Sequence, residues 1–314
     1  MPKRFRFGLT LFPVMSERQV WIDEVKRAES AGFSAITVSD HFRSSGGIWP
    51  SLITAAEVAP SLRVGTIVLN NDFWHPVLVA REAITAQVLT EGRFELGIGA
   101  GWDELDYRAM GLKRQPAARR IERLGEAIAI LSQALAGRPI RFAGAHYRVD
   151  GGDPWPVSPT PIPLLVGGGG RRILELAARC ADIVSLHRNL EHGLAASWAA
   201  EGRDHGPFDS GMSERVSWVR SSAGERFEQL ELHALLLKAV VTDHRLRVAA
   251  ELGRPIGFSA EQILASPHYL VGTVEEMVAD LRERRSRWGI SYWTLVAGND
   301  VEAFAPVVAA LAGT

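Results

Sequence analysis

The chain of 314 residues contains only one cysteine, Cys180, which excludes an intramolecular disulfide. A single thiol is typical of proteins from a reducing compartment, so we expect a cytoplasmic location. No stretch approaches the roughly 18 uninterrupted apolar residues of a membrane helix. The basic start, residues 1–7, is not followed by a long apolar run before Pro13. We therefore expect a soluble protein with no signal peptide and no membrane partner.

The chain also has no excess of positive charge, because it contains 35 Lys and Arg residues and 36 Asp and Glu residues. This balance argues against nucleic-acid binding, which needs a basic surface. The nine histidines form no His-Glu-x-x-His motif and no close cluster with carboxylates, so no metal site is expected. The sequence has neither a Gly-x-Ser-x-Gly elbow nor a Walker A loop. These absences leave a small organic molecule as the expected partner.

What the sequence does contain is an alternation of strand-like and helix-like segments. Strands are predicted at residues 6–11, 35–38, 62–69, 93–98, 163–166, 182–185 and 291–296. Helices are predicted at residues 17–31, 77–89, 119–135, 171–178, 273–288 and 301–311, with capping boxes opening the first at Ser16 and the fifth at Thr273. Residues 230–241 are apolar enough for a buried strand, although a helix is not excluded.

Alternation of this kind requires parallel strands joined by crossover helices. About eight such units fit the chain, which favours a (β/α)8 TIM barrel over an open, doubly wound sheet. We expect a single domain over residues 1–314. The segment 137–161, rich in Gly and Pro, is interpreted as an insertion at the C-terminal face of the barrel, and residues 187–212 as a mobile lid.

A glycine turn follows the predicted strand 163–166 and comes directly before a helix. It consists of Gly167, Gly168, Gly169 and Gly170. Backbone N–H groups at a helix N-terminus suit a phosphate, and missing side chains let it approach closely. Arg171 or Arg172 could add positive charge. A tight strand-to-helix turn is the alternative interpretation of this loop.

Polar and aromatic residues cluster at other predicted strand ends, where TIM barrels carry their active sites. Asp40 and His41 follow the second strand, and a histidine can exchange a proton near neutral pH. Asn70 lies in a loop after the third strand, where amides could bind a heterocycle. Aromatic side chains that could contact a flat substrate are Phe12, Trp49, Trp74 and Trp102. Turn formation or core packing remains the alternative for each.

Taken together, these segments resemble the bacterial luciferase-like monooxygenase superfamily, and within it the branch that uses the deazaflavin coenzyme F420. Four pieces carry the resemblance, in the same chain order: residues 28–42, residues 63–69 with His75-Pro76, residues 92–102, and residues 163–170 with 181–184. They cover roughly the first 190 residues. Each piece alone is weak, but the set is specific.

The resemblance implies a TIM barrel with the cofactor at its mouth. Relatives use the residues matching His41 and Asp40 beside the deazaflavin ring, which makes these two the candidate catalytic residues as well as cofactor contacts. Relatives also carry a non-proline cis peptide after the third strand, here expected at Ile67–Val68, and it backs the ring. The cofactor-binding set implied by motif and resemblance is Asp40, His41, Ile67, Val68, Asn70, Gly167, Gly168, Gly169, Gly170 and Arg171.

One departure concerns the substrate. The sugar-phosphate dehydrogenase of this branch has an acidic glutamate near the position of Trp102, and its phosphate-binding lysines have no match here. Trp102 instead indicates an apolar or planar substrate. We predict hydride transfer between F420 and an organic molecule. An FMN- and oxygen-dependent monooxygenase is the alternative, followed by a non-catalytic ligand-binding barrel. The resemblance makes a homodimer plausible, but no sequence pattern establishes one.

Overall fold

A computed structural model describes residues 3–13, 17–42, 46–152, 155–190 and 210–314. Its strands are β1 (Arg6–Leu11), β2 (Ala35–Val38), β3 (Arg63–Thr66), β4 (Leu69–Asn70), β5 (Phe94–Gly99), β6 (Arg141–Ala143), β7 (Arg148–Asp150), β8 (Leu164–Gly168), β9 (Ile183–Leu186), β10 (Glu231–Leu236), β11 (Lys238–Val241), β12 (Tyr269–Gly272) and β13 (Ile290–Val296).

The α-helices among the described residues pack around these strands. They are α1 (Arg18–Ser30), α2 (Ile48–Val58), α3 (Pro76–Leu89), α4 (Glu104–Ala109), α5 (Ala117–Leu135), α6 (Arg171–Cys180), α7 (Ser210–Ala223), α8 (Arg245–Gly253), α9 (Ala260–Ala265), α10 (Val274–Trp288) and α11 (Val301–Leu311). None of them combines the length and the apolar character that crossing a membrane requires.

Eight parallel strands close into a barrel, in the order β1-β2-β3-β5-β8-β9-β10-β13 and back to β1. The short β4 continues β3 and pairs with β5 beyond a break at residues 67–68. Apolar side chains between strands and helices form the main core, because parallel strands are buried on both faces. The predicted TIM barrel is confirmed, and the open sheet is wrong.

Ion pairs gather at the N-terminal end of the barrel. The carboxylate of Glu95 accepts hydrogen bonds from Arg6 Nη1 at 2.8 Å and Arg63 Nε at 2.7 Å. Arg6 also bonds Glu231 at 3.0 Å and lies over the Tyr292 ring. Burial alone would raise the pKa of Glu95, but the two arginines hold it below its ordinary value. These ion pairs lie at the end of the barrel where β1, β3 and β5 begin.

Two predicted strands are each divided in the structure. Residues 62–69 form β3 and β4 rather than one strand, and the Ile67–Val68 peptide bond between them is cis, as the resemblance implied. Residues 230–241 form β10 in the barrel wall and then β11, which leaves the barrel to pair with β12. The strand interpretation of that segment is confirmed, and the helix is excluded.

Of the two predicted capping boxes, the one at Thr273 can be compared with the structure. Thr273 Oγ1 accepts the Glu276 N–H, and the Glu276 carboxylate accepts the Thr273 N–H, so the predicted box is present. Ser16 lies outside the described residues.

The segment 137–161 contributes the antiparallel pair β6–β7. Most of the proposed lid, residues 191–209, also lies outside the described part of the chain.

Candidate active site

A cavity of about 700 Å³ opens at the C-terminal end of the barrel. Its wall brings together most of the residues predicted from the sequence to form a site. Those that line it are Phe12, Asp40, His41, Ile67, Val68, Asn70, Trp102, Gly167, Gly168, Gly169, Gly170 and Arg171. This volume lies within the range of pockets that bind small molecules or cofactors.

The Val68 side chain lines the cavity and packs near three glycines of neighbouring strands. A Cβ on Gly97, Gly99 or Gly167 would stand 3.2, 2.8 or 3.4 Å from a Val68 methyl group. A larger residue at Gly99 would collide with Val68, and one at Gly97 would first meet the Thr66 backbone oxygen at 2.0 Å. The glycines on β5 and β8 therefore let the bulge after β3 form an apolar floor for the cavity.

Two glycines of the turn have different surroundings: Gly169 packs against backbone, and Gly170 leaves the N-terminus of α6 open. A Cβ on Gly169 would stand 2.1 Å from the backbone oxygen of Arg188, so the absence of a side chain there is required by backbone packing. Gly170 is different, because its Cβ would meet nothing closer than 3.9 Å. Gly170 is the N-cap of α6 and lines the cavity. The open space at Gly170 fits an anion at the N-terminus of this ten-residue helix.

His41 is held at the cavity wall by a carboxylate that the sequence analysis missed. Its Nδ1 lies 2.5 Å from Oδ2 of Asp106, a buried residue of the short helix α4. The other oxygen of Asp106 accepts the backbone N–H of Phe42 at 3.2 Å. A carboxylate on Nδ1 keeps the proton on that nitrogen and leaves Nε2 to exchange protons. Paired in this way, His41 is a candidate acid/base group.

Asp103 joins this pair in a small group with metal-ligand chemistry. One ligand atom each from His41, Asp103 and Asp106 lie within 4.8 Å of one another. However, ligands about 2.0–2.2 Å from one zinc ion stand more than about 3 Å apart in a tetrahedral site. The 2.5 Å separation of His41 and Asp106 is shorter and matches a hydrogen bond. The geometry therefore favours a histidine–carboxylate pair over a metal centre.

Asp40 also lines the cavity, and its hydrogen bonds go to residues other than His41. Its Oδ2 accepts the backbone N–H of Asn70 at 2.9 Å and the indole N–H of Trp74 at 2.8 Å. Burial raises the pKa of the Asp40 carboxyl above its ordinary value, while these two hydrogen bonds act in the opposite direction. Asp40 thus ties the end of β2 to β4 while one edge faces the cavity.

Comparison with known families assigns this chain to one of them. The family model described as luciferase-like monooxygenase matches residues 19–292. The chain belongs to this family. The luciferase-like assignment covers the barrel from α1 to β13 and confirms the resemblance seen in the sequence.

Individual relatives of this luciferase-like chain include enzymes named for F420. A 5,10-methylenetetrahydromethanopterin reductase of Archaeoglobus fulgidus is 28% identical over 208 residues, 66% of this chain and 60% of the relative. An F420-dependent glucose-6-phosphate dehydrogenase of Beutenbergia cavernae is 32% identical over 163 residues, 49% of this chain and 48% of the relative. The matches span about half to three-fifths of these relatives' length.

A solved structure shares the whole fold. The F420-dependent secondary alcohol dehydrogenase in complex with an F420-acetone adduct superposes with a TM-score of 0.75 at 17% identity. The match covers 98% of this chain and 99% of that one. At this identity, the likeness supports the luciferase-like barrel fold.

The four tryptophan and phenylalanine candidates divide into two groups in the luciferase-like barrel. Phe12 and Trp102 line the cavity, and the Trp102 ring meets the His41 ring edge-on with centroids 5.7 Å apart. Trp49 and Trp74 are not brought to the cavity wall. They pack edge-on against each other, and Trp49 also contacts Phe94 in the core. Apolar packing behind β2 and β5 explains their placement.

Arg120 is a second cavity residue that the sequence analysis missed. It is buried in α5, and its guanidinium donates to the backbone oxygens of Ala100, Gly101 and Gln115. A signal was present, because Arg120 lies four residues before Leu124 on the apolar face of a predicted helix. An arginine on a buried face indicates a specific partner.

Proposed function

We propose that the protein is an oxidoreductase that transfers a hydride between coenzyme F420 and a small organic substrate in the cavity. The observation that carries this proposal is one cavity that connects the open helix end at Gly170 with the His41–Asp106 pair. The relative named as an F420-dependent glucose-6-phosphate dehydrogenase supports the choice of cofactor.

The residues present fit a flavin-type group. The apolar Val68 floor suits a flat ring, and the open space at Gly170 suits the phosphate of its tail. Ser39 adds a polar contact, because its Oγ is buried at the cavity wall without a hydrogen-bond partner among the described residues. A ligand that supplies a polar group there would satisfy it. Arg171 lies beside the glycine turn and adds positive charge.

When bound, F420 supplies the carbon that gives or accepts the hydride. The chain supplies the proton transfer and the placement. With its Nδ1 proton donated to Asp106, neutral His41 takes a proton from the substrate at Nε2 when the substrate is oxidised. In the reverse direction protonated His41 returns it, and Asp106 stabilises the positive charge. Trp102 and Phe12 offer apolar surface for the substrate.

Titration of the purified protein with F420 and with FMN, followed by fluorescence, tests the cofactor. We expect F420 to bind at least ten times more tightly than FMN. The absence of F420 binding would overturn the proposal. Tighter binding of FMN, together with oxygen uptake when a flavin reductase is added, would instead establish the FMN-dependent monooxygenase that the family name allows.

A further inference from the structure

A chain of buried hydrogen bonds runs from the cavity wall into the barrel interior. His187 Nε2 lies 2.8 Å from Ser185 Oγ, and Ser185 Oγ lies 2.6 Å from Nδ1 of His233. His233 Nε2 then lies 2.9 Å from Thr294 Oγ1. Ser185, His233 and Thr294 are fully buried on β9, β10 and β13. None of these four residues contributes to the His41–Asp106 pair.

His187 and His233, the two histidines in this series of hydrogen bonds, are neutral near pH 7. Burial, together with the nearby Arg188 and Arg215, lowers the pKa of His187 to about 4. Burial also holds the pKa of His233 well below its ordinary value, with His187 and Arg6 adding to the effect. A neutral imidazole has one N–H donor and one acceptor nitrogen. Each link in the chain must therefore pair a donor with an acceptor.

Ser185 then forces the two histidines into the same tautomer. Its hydroxyl has one proton and contacts two imidazole nitrogens, with no third partner among the described residues. If Ser185 donates to His187 Nε2, then His233 must donate from Nδ1, and both rings carry their proton on Nδ1. If Ser185 donates to His233 Nδ1, both rings carry it on Nε2. A mixed pair leaves one contact without a proton or leaves the serine proton unsatisfied.

His187 also borders the place where a flat ligand would lie. It lines the cavity, and its Nδ1 makes no hydrogen bond to another described residue. The point where a Cβ on Gly167 would stand is 3.4 Å from both His187 Nε2 and a methyl group of Val68. The imidazole therefore flanks the apolar floor made by Val68. A ring lying on that floor would have its edge near His187.

We propose that His187 is a hydrogen-bonding contact for the ring of the bound cofactor, and that Ser185 locks its tautomer to that of His233. The ring contact rests on the proposed function, whereas the tautomer lock does not. The pyrimidine edge of a flavin or deazaflavin carries carbonyl groups and an N–H. A neutral imidazole can meet either kind of group without introducing a charge into a buried wall.

The tautomer lock is tested without any cofactor, by ¹⁵N NMR of the histidine ring nitrogens in the unliganded protein. We expect His187 and His233 to be neutral at pH 7 and in the same tautomer. Ser185→Ala should uncouple them, so that His187 becomes a mixture. Ser291→Ala is the matched control, because Ser291 is an equally buried barrel serine whose Oγ has no partner among the described residues. Opposite tautomers in the wild type would overturn the lock.

The ring contact is tested by binding F420 and FMN to wild type and His187→Phe, which keeps a ring but removes both nitrogens. We expect the variant to bind at least fivefold more weakly and to alter the visible absorption band of the bound cofactor. The cofactor affinity of Ser185→Ala should lie between those of the wild type and His187→Phe. The affinity of Ser291→Ala should match that of the wild type. Equal affinity and an equal band in His187→Phe would overturn the contact while leaving the proposed function intact. No binding of either cofactor to the wild type would overturn both.

Discussion

Nδ1 of His41 lies 2.5 Å from Oδ2 of Asp106, which is 65 residues further along the chain. The carboxylate that the sequence places next to the histidine, that of Asp40, bonds Asn70 and Trp74 instead. The catalytic pair in the proposed function is therefore His41 with Asp106. Asp106 acts through the histidine and is a positioning residue.

Asp106→Asn should lower kcat for an organic substrate turned over with F420 by about 100-fold, because an amide cannot hold the His41 proton on Nδ1. The affinity for F420 should change by less than about threefold, since Asp106 does not approach the phosphate end of the cavity. Steady-state kinetics over a range of pH, together with cofactor titration, measure both. Glu104→Gln is the control on the same helix, where an exposed carboxylate pairs with Arg114. Unchanged kcat in Asp106→Asn would refute the positioning role.

Gly170→Ala should change cofactor affinity, whereas Gly169→Ala should change thermal stability. Alanine at 170 meets nothing closer than 3.9 Å and has an ordinary φ of −91°, so the melting temperature should stay the same. The affinity for F420 should fall about tenfold or more, because the methyl group takes the space proposed for the phosphate. Alanine at 169 would collide with the Arg188 backbone, so the melting temperature should fall by several degrees. Full F420 affinity in Gly170→Ala would place the phosphate elsewhere.

Glu95→Gln should lower the free energy of unfolding at pH 7 by about 3 kcal/mol, because it leaves Arg6 and Arg63 without their shared carboxylate. The pKa of Glu95 lies below its unfolded value, so its contribution is present above about pH 4.5 and is lost as pH falls through the folded pKa.

Urea unfolding at pH 7 and near pH 3 measures this difference. The gap between wild type and Glu95→Gln should shrink at the lower pH. Glu302→Gln is the control, because Glu302 is an exposed carboxylate on α11 and its loss should change stability by less than about 0.5 kcal/mol. A gap that does not depend on pH would show that charge pairing at Glu95 is not the cause.

Trp102→Ala and Trp49→Ala separate substrate binding from packing. Trp102 borders the cavity beside His41, so its loss should raise KM for an apolar substrate about tenfold with little effect on stability. Trp49 packs on Trp74 and Phe94, so its loss should lower the free energy of unfolding by about 2–3 kcal/mol and leave KM within about twofold. Kinetics and urea unfolding of both variants give the comparison, and a reversed pattern would contradict the placement of the two rings.

The sequence alone determined the features that depend on neighbouring residues. Alternating strand and helix patterns predicted the barrel, the Thr273 capping box predicted the start of α10, and four consecutive glycines predicted an open turn at the start of α6. The strand-end position of His41 and the bulge at Ile67–Val68 were also readable, because the chain order of short motifs resembles one family. Each of these signals is a short local pattern, or the order in which such patterns follow one another along the chain.

Only the tertiary structure decided which distant side chains meet. It paired His41 with Asp106, gathered Arg6, Arg63 and Glu95 from three strands, and turned Trp49 toward the core. It also aligned Ser185 between His187 and His233. Such contacts depend on barrel closure, which fixes how the strands stand in register and how each loop folds back over the mouth. One sequence specifies these positions only through the packing of the whole barrel.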